Sequence, residues 1–139
     1  MSREEKIRAF IEAYEIELPA AKVENELKYI MTQLRHGMQY DALTGGELHL
    51  NPGAELEAQR KELLKLAEYE VKQELVIKDV IAKVGFSVSR EELEAEAQAM
   101  AVRQNCTLEM IRSFFGDDLA MLERDVTIRK AEDWLSTQL

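Results

Sequence analysis

The side chains in this sequence that could support chemistry are few: His36 and His49, the lone Cys106, and a run of carboxylates at Glu91, Glu92, Glu94 and Glu96. The histidines stand in no HExxH-like arrangement, and one cysteine cannot build a thiolate cluster, so the spacing offers no zinc site. The chain carries neither a glycine-rich phosphate loop nor a GxSxG elbow, and no nucleophile–base pair can be assembled from what remains. The four glutamates follow Ser89 at a helix start, where the helix macrodipole favours acids, and they read as helix N-terminal acids. Cys106 sits beside helix ends and reads as a small packing residue. The expectation is no catalytic residue, no metal and no cofactor.

Methionine is the remaining chemically distinctive type. Met31, Met38, Met100, Met110 and Met121 carry flexible thioethers that adapt to varied apolar ligands. Met31 and Met38 also extend an apolar helix stripe, so for them core packing competes with a groove that accepts many sequences.

The elements that would position these groups are read from caps and periodicity. Ser2-Arg3-Glu4-Glu5 has the form of a capping box, and Ile7, Phe10, Ile11 and Tyr14 follow at helical spacing. Leu18-Pro19 ends that helix, and Pro19 suits the first turn of the next. In this second helix Ala20, Val23, Leu27, Ile30, Met31, Leu34 and Met38 share one face, and Gly37 places the stop near itself. Residues 39–53 then form a long connection, with a turn at Gly45-Gly46 and an alternating, extended piece at Glu47-Leu48-His49-Leu50.

Asn51-Pro52 is spaced as N-cap and first helical residue of a long helix running from about Pro52 to Val84. Its apolar stripe changes sides: Leu63, Leu64, Ala67, Val71 and Leu75 lie on one face, Val76, Ile77, Val80, Ile81 and Val84 on nearly the opposite one. Such a helix must meet different partners along its length. Gly85 closes it. Ser89-Arg90-Glu91-Glu92 is a second capping box, stapled by Val88 and Leu93, and opens a helix ending around Asn105. A shorter helix from Thr107 ends at Gly116, and Asp117 is placed to cap the last one, which carries Leu119, Leu122, Val126, Trp134 and Leu135. Roughly five or six helices with no strand pairing predict an all-α fold, one domain over residues 1–139.

Composition narrows the partners. The 18 basic against 27 acidic residues leave a net charge of −9, which argues against nucleic acid and against an anionic membrane surface, since both are held by Lys and Arg. The 46% of hydrophobic residues suffices for a real core. No apolar run approaches a membrane span and residues 1–20 do not read as a signal peptide, so the expected compartment is the reducing cytoplasm.

Three stretches carry a family resemblance. Phe10 to Leu27, an amphipathic helix, a short apolar link, a proline, then Val23-Glu24-Asn25-Glu26, resembles the pattern of trigger factor. Arg60, the run Ala67 to Ile77 and Ile81-Ala82 resemble that family's long second helix. Val88-Ser89-Arg90-Glu91-Glu92-Leu93-Glu94-Ala95-Glu96 is similar to its link into the following helix. In this order they cover about residues 6–135. The resemblance implies an elongated, multi-helix C-terminal domain with protruding helical arms, whose concave face holds unfolded or nascent polypeptide without ATP or metal. The family's ribosome-binding Gly-Phe-Arg motif and its isomerase domain do not occur in these residues, so ribosome docking and prolyl isomerisation are not carried over. The chain is expected to be either a fragment or a free-standing relative. Lys22, charged and next to the apolar arc, departs from what that face wants.

The expected substrate-binding residues are Met38, Tyr40, Leu43, Leu48 and Leu50 around the helix-to-helix loop, with Phe86 and Phe114 in second place. The rival expectation is a helical scaffold or dimerisation domain, in which the same apolar patches meet one fixed partner or a second copy.

Overall fold

The computed structural model describes residues 1–138, and among them every regular element is helical. The order is α1 (Arg3–Ala13), α2 (Ala20–Leu43), α3 (Pro52–Ala58), α4 (Arg60–Val84), α5 (Arg90–Gln104), α6 (Leu108–Phe115), a 3-10 turn (Ala120–Leu122) and α7 (Glu123–Ser136). The chain divides into two compact units, one comprising Met1–Ala13 and the chain from Ile77 onward, the other Tyr14–Val76. The division falls between Val76 and Ile77, one residue past the point where the apolar stripe of α4 changes sides.

The local chemistry explains most boundaries. The Ser2 hydroxyl accepts from the Glu5 amide at 3.1 Å. Asn51 caps α3 by accepting from the Ala54 amide at 3.2 Å, with Pro52 in the first turn. Ser89 forms the full capping box: its hydroxyl accepts from the Glu92 amide at 3.1 Å and the Glu92 carboxylate accepts from the Ser89 amide at 3.2 Å. Thr107 accepts from the Met110 amide at 3.3 Å to open α6. Gly85 closes α4 at φ +74°, a conformation a Cβ would strain.

Three expectations about the elements are corrected. Helix α2 does not stop near Gly37 but continues to Leu43, so Met38, Tyr40 and Leu43 stand on its last turns instead of in a loop. Glycine inside a helix costs about 1 kcal/mol relative to alanine yet does not forbid it. The stop needs a left-handed residue, which Gly45 supplies at φ +79° beside the Thr44 cap, whose amide donates to the Tyr40 carbonyl at 3.0 Å. The helix expected to begin at Pro52 and run unbroken is interrupted at Gln59, where the Gln59 amide reaches the Leu56 carbonyl at 3.1 Å in a 3-10 step. No breaker residue stands there. The interruption accompanies packing of α3 on α2, with Leu56 buried. Finally, Asp117 does not cap the last helix: α7 has no side-chain cap, the neighbouring Asp118 carboxylate accepts from the Ala120 amide at 3.1 Å at the start of the 3-10 turn, and the Asp117 carbonyl accepts from Arg112 at 2.8 Å.

The first unit has a continuous core. Leu93, Ala97 and Ala101 of α5 pack with Ile111 of α6, Leu119 and Leu122 at the 3-10 turn and Val126 of α7, flanked by Val88, Met100, Cys106, Leu108 and Phe115. Leu119 is fully buried although its φ is +59°, so the core holds a leucine in a conformation costing about 1–2 kcal/mol. Helix α1 lies against α7 through the edge-to-face pair Phe10–Trp134, with ring centres 5.8 Å apart, and an Arg3–Asp133 ion pair at 2.7 Å.

The second unit is leaner. Its core is Leu27 of α2 with Leu63 and Ala67 of α4, bordered by Val23, Ile30, Met31 and Leu64. Leu27 is the one buried residue of α2. Leu34, expected on the core face, is exposed, because beyond Met31 the helix is opposed by α3, which buries a single side chain, Leu56.

Candidate functional site

The connection between α2 and α3 begins with the Gly46 amide donating to the Asp41 carbonyl at 2.8 Å, folding the chain back at the end of α2. The next residues are non-helical, and of Glu47, Leu48, His49 and Leu50 only His49 is drawn in from solvent. The pattern is inverted relative to a soluble protein: the polar His49 side chain is only 14% exposed, while Leu48 is 68% and Leu50 is 87% exposed. Tyr40 and Leu43, on the last turns of α2, are also exposed, at 66% and 87%. Met38 is half-buried. One short segment of the second unit therefore turns four large apolar side chains to solvent.

The inward His49 is held by two acids. Its Nδ1 lies 2.7 Å from a Glu55 carboxylate oxygen on α3 and its Nε2 3.6 Å from an Asp41 carboxylate oxygen on α2. The hydrogen bond to Glu55, with the charges of Glu55 and Glu47, raises the imidazole above the ordinary histidine value and favours the imidazolium. The acids face opposite nitrogens of the ring, a bridging and not a chelating arrangement, and among the described residues no cluster of His, Cys, Asp or Glu is shaped for a metal. Behind Met31, Thr32 and Arg35 of α2 and Gly53, Leu56 and Glu57 of α3 lies an open cleft of about 300 Å³.

The other two expected residues lie in the first unit. Phe86 is half-buried in the link after α4. Phe114 is 82% exposed on α6, its ring centre 6.1 Å from that of Phe115, which packs inward. Met110, one turn before Phe114, is exposed too, as are Val102 and Met121. Tyr29 and Val102 escaped the sequence reading, in which Leu34 reads as core. Their exposure follows from which helix faces find partners, and periodicity alone does not say that.

The acidic run on α5 is structural in a way that exceeds the dipole argument. Glu92 pairs with Lys130 of α7, Glu94 with Arg112 of α6 at 2.6 Å, and Glu96 with Arg129 of α7 at 2.8 Å and Arg103 at 3.2 Å. Hydrogen bonds from Lys130 and Arg129 hold Glu92 and Glu96 below the usual carboxylate range. These acids brace helices, and the open cleft that Glu92 and Glu96 line is shared with their own ion-pair partners Lys130 and Arg129.

An all-α domain with apolar side chains presented at a helix connection has a close structural counterpart. The fold aligns with a solved structure of trigger factor domains from Thermotoga maritima, at TM-score 0.67 and 25% identity, over 98% of this chain and 80% of that one. The family described as the bacterial trigger factor C-terminus matches residues 2–137. The trigger factor of Bacillus subtilis strain 168 is 34% identical over 134 residues, and that of Bacillus pumilus strain SAFR-032 is 30% identical over 133. Each alignment covers 96% of this chain and 31% of the relative, so the chain spans about a third of the length of the relatives it matches. The chain belongs to the trigger factor C-terminal family. No helix among the described residues is long and apolar enough to cross a membrane.

Proposed function

We propose that this chain is an ATP-independent chaperone domain that binds unfolded or nascent polypeptides through apolar side chains, with Tyr40, Leu43, Leu48 and Leu50 as the principal contacts. Met38 supports them from the end of α2, and Phe86 and Phe114 form a secondary set. The observation that carries the reading is the inverted pattern at Leu48-His49-Leu50, where leucines face solvent and the histidine faces the protein. A connection that served only to join α2 to α3 gains nothing from that orientation, whereas contiguous exposed apolar groups mark binding surfaces. Family membership supports a chaperone-related role, and the net charge of −9 suits keeping loaded complexes in solution.

In this reading the chain works in the cytoplasm and acts by binding rather than by catalysis. It engages neither nucleic acid nor membrane. Ribosome docking and prolyl isomerisation lie outside these residues. Binding needs no cofactor, because burial of apolar surface supplies the free energy.

The test is suppression of aggregation of an unrelated denatured protein, without ATP, by the parent and by a variant with Tyr40, Leu43, Leu48 and Leu50 all replaced by Ser. The parent should protect with an affinity near micromolar, about −8 kcal/mol, and the variant should protect poorly at an almost unchanged Tm. Equal protection by both would place the binding surface elsewhere. A parent that protects nothing but associates with itself or one fixed partner would favour the scaffold reading.

A further inference from the structure

Of the residues between the turn at Gly45-Gly46 and the Asn51 cap, the one drawn in from solvent is not apolar. His49 sits between two exposed leucines, turns inward, and spans two helices by reaching Glu55 on α3 at 2.7 Å and Asp41 at the end of α2 at 3.6 Å. A neutral imidazole has one N–H and one lone pair, so it can donate to one of these carboxylates only and presents a lone pair to the other. The imidazolium, with a proton on each nitrogen, makes both contacts favourable: a hydrogen bond to Glu55 and, at 3.6 Å, an ion-pair contact with Asp41. Leu48 and Leu50 flank His49 directly in a non-helical stretch, so the placement of the ring constrains how both leucines are presented. If the ring lets go, nothing described in the connection from Glu47 to Leu50 holds the leucines outward together.

Resting on the reading of this segment as a polypeptide-binding surface, we infer that His49 is its positioning residue: as an imidazolium clamped between Asp41 and Glu55, it fixes how Leu48 and Leu50 are presented, and loss of its proton weakens binding. The charged groups facing the ring are all acids: Asp41 from α2, Glu55 from α3 and Glu47 from the connection itself. Each favours the proton, so the ring titrates above the 6.5 of an ordinary histidine. The clamp is present below that value and is lost as the pH rises through the raised one. His49 touches no client. Its effect is on presentation.

The experiment measures binding of a fluorescently labelled, reduced and carboxymethylated α-lactalbumin, a permanently unfolded chain, by anisotropy. It uses the full chain and its His49→Gln variant between about pH 6 and pH 9, at constant ionic strength, spanning the ordinary histidine value. The parent should bind roughly threefold to fivefold more tightly than the variant at the acid end, the scale of partly exposed charge contacts, and the two curves should converge at the alkaline end. Convergence separates His49 from any titration of the probe, which both proteins share. Glu55→Gln should lower the imidazole titration midpoint seen by NMR and increase exchange of the amides in residues 47–50, with helix content retained. A parent that binds while His49→Gln binds equally well at every pH would overturn the positioning role alone. A midpoint unmoved by Glu55→Gln would overturn it too. A parent that binds the probe at no pH would overturn the chaperone reading and this inference with it.

Discussion

The two units of this chain spend their side chains differently. In the unit built from α1, α5, α6 and α7 the core is continuous and braced: Ile11, Leu122, Ala131 and Leu135 are inaccessible to solvent, and Glu92, Glu94 and Glu96 tie α5 to its neighbours. Val102, Met110, Phe114 and Met121 stand exposed outside that core. In the unit built on α2 and α3, one residue of α2 is buried, six large apolar side chains between Tyr29 and Leu50 stand exposed, and two glutamates face one another. The difference teaches where binding can be afforded in a helical domain. On the proposed reading, a surface that accepts unrelated chains must leave apolar groups exposed, and the second unit has the leaner core.

The comparison breaks first under truncation. Leu122→Ala or Leu135→Ala should destabilise the first unit by about 2–5 kcal/mol, read from urea unfolding followed by circular dichroism. Leu34→Ala in the second unit should change stability by less than about 0.5 kcal/mol, as surface replacements do. Comparable losses at all three positions would mean that α2 is packed as tightly as α7.

Acid sharpens it next. Glu92 and Glu96 have folded-state values below those of the unfolded chain, so their contribution is present above the ordinary carboxylate value of 4.5 and is lost as the pH falls through the depressed values. Glu26 is displaced the other way, first by its hydrogen bond to Glu70 and then by burial and charge repulsion. Its contribution is present below 4.5 and is lost as the pH rises through the raised value. Amide exchange compared at about pH 4 and pH 7 should therefore show the α5–α7 helices losing protection in acid relative to α2 and α4. Glu96→Gln, which leaves Arg129 and Arg103 without their shared partner, should cost about 1 kcal/mol at neutral pH, measured by urea unfolding. The smallest effect is expected from Glu26→Gln, a gain of about 0.2–0.5 kcal/mol at neutral pH from removing a like-charge pair, checked in the same assay.

Legibility in the sequence follows the same division. Where structure is decided within a few residues it could be read: Ser89 with Glu92, Asn51 with Pro52, Thr107 and Gly85 all act as their types and spacing demand. Where two similar signals compete, the choice depended on a dihedral the sequence does not display. Gly37 stays helical while Gly45 turns left-handed, and Asp118 rather than Asp117 meets the Ala120 amide. What depends on tertiary packing was hidden. Glu57-Ala58-Gln59-Arg60 is made of good helix formers, yet the helix breaks there as α3 packs on α2. The stripe through Leu34 looks like core until its face is found to lack a partner. The residues of the candidate surface were legible as types in a connection of unusual length, but their outward orientation was not. His49, set aside for lacking a metal-binding motif, becomes meaningful only once Asp41 and Glu55 are brought to either side of it.

The central claim is that unfolded chain is bound at the end of α2 and the connection after it. The most direct measurement is a titration of isotopically labelled protein with a permanently unfolded polypeptide, followed residue by residue by NMR. The account predicts that signals of residues 38–50 shift or broaden first, with weaker changes at Phe86 and Phe114 and none in the buried faces of α5 and α7. Changes confined to α5, α6 and α7, with residues 38–50 unmoved at saturation, would contradict it.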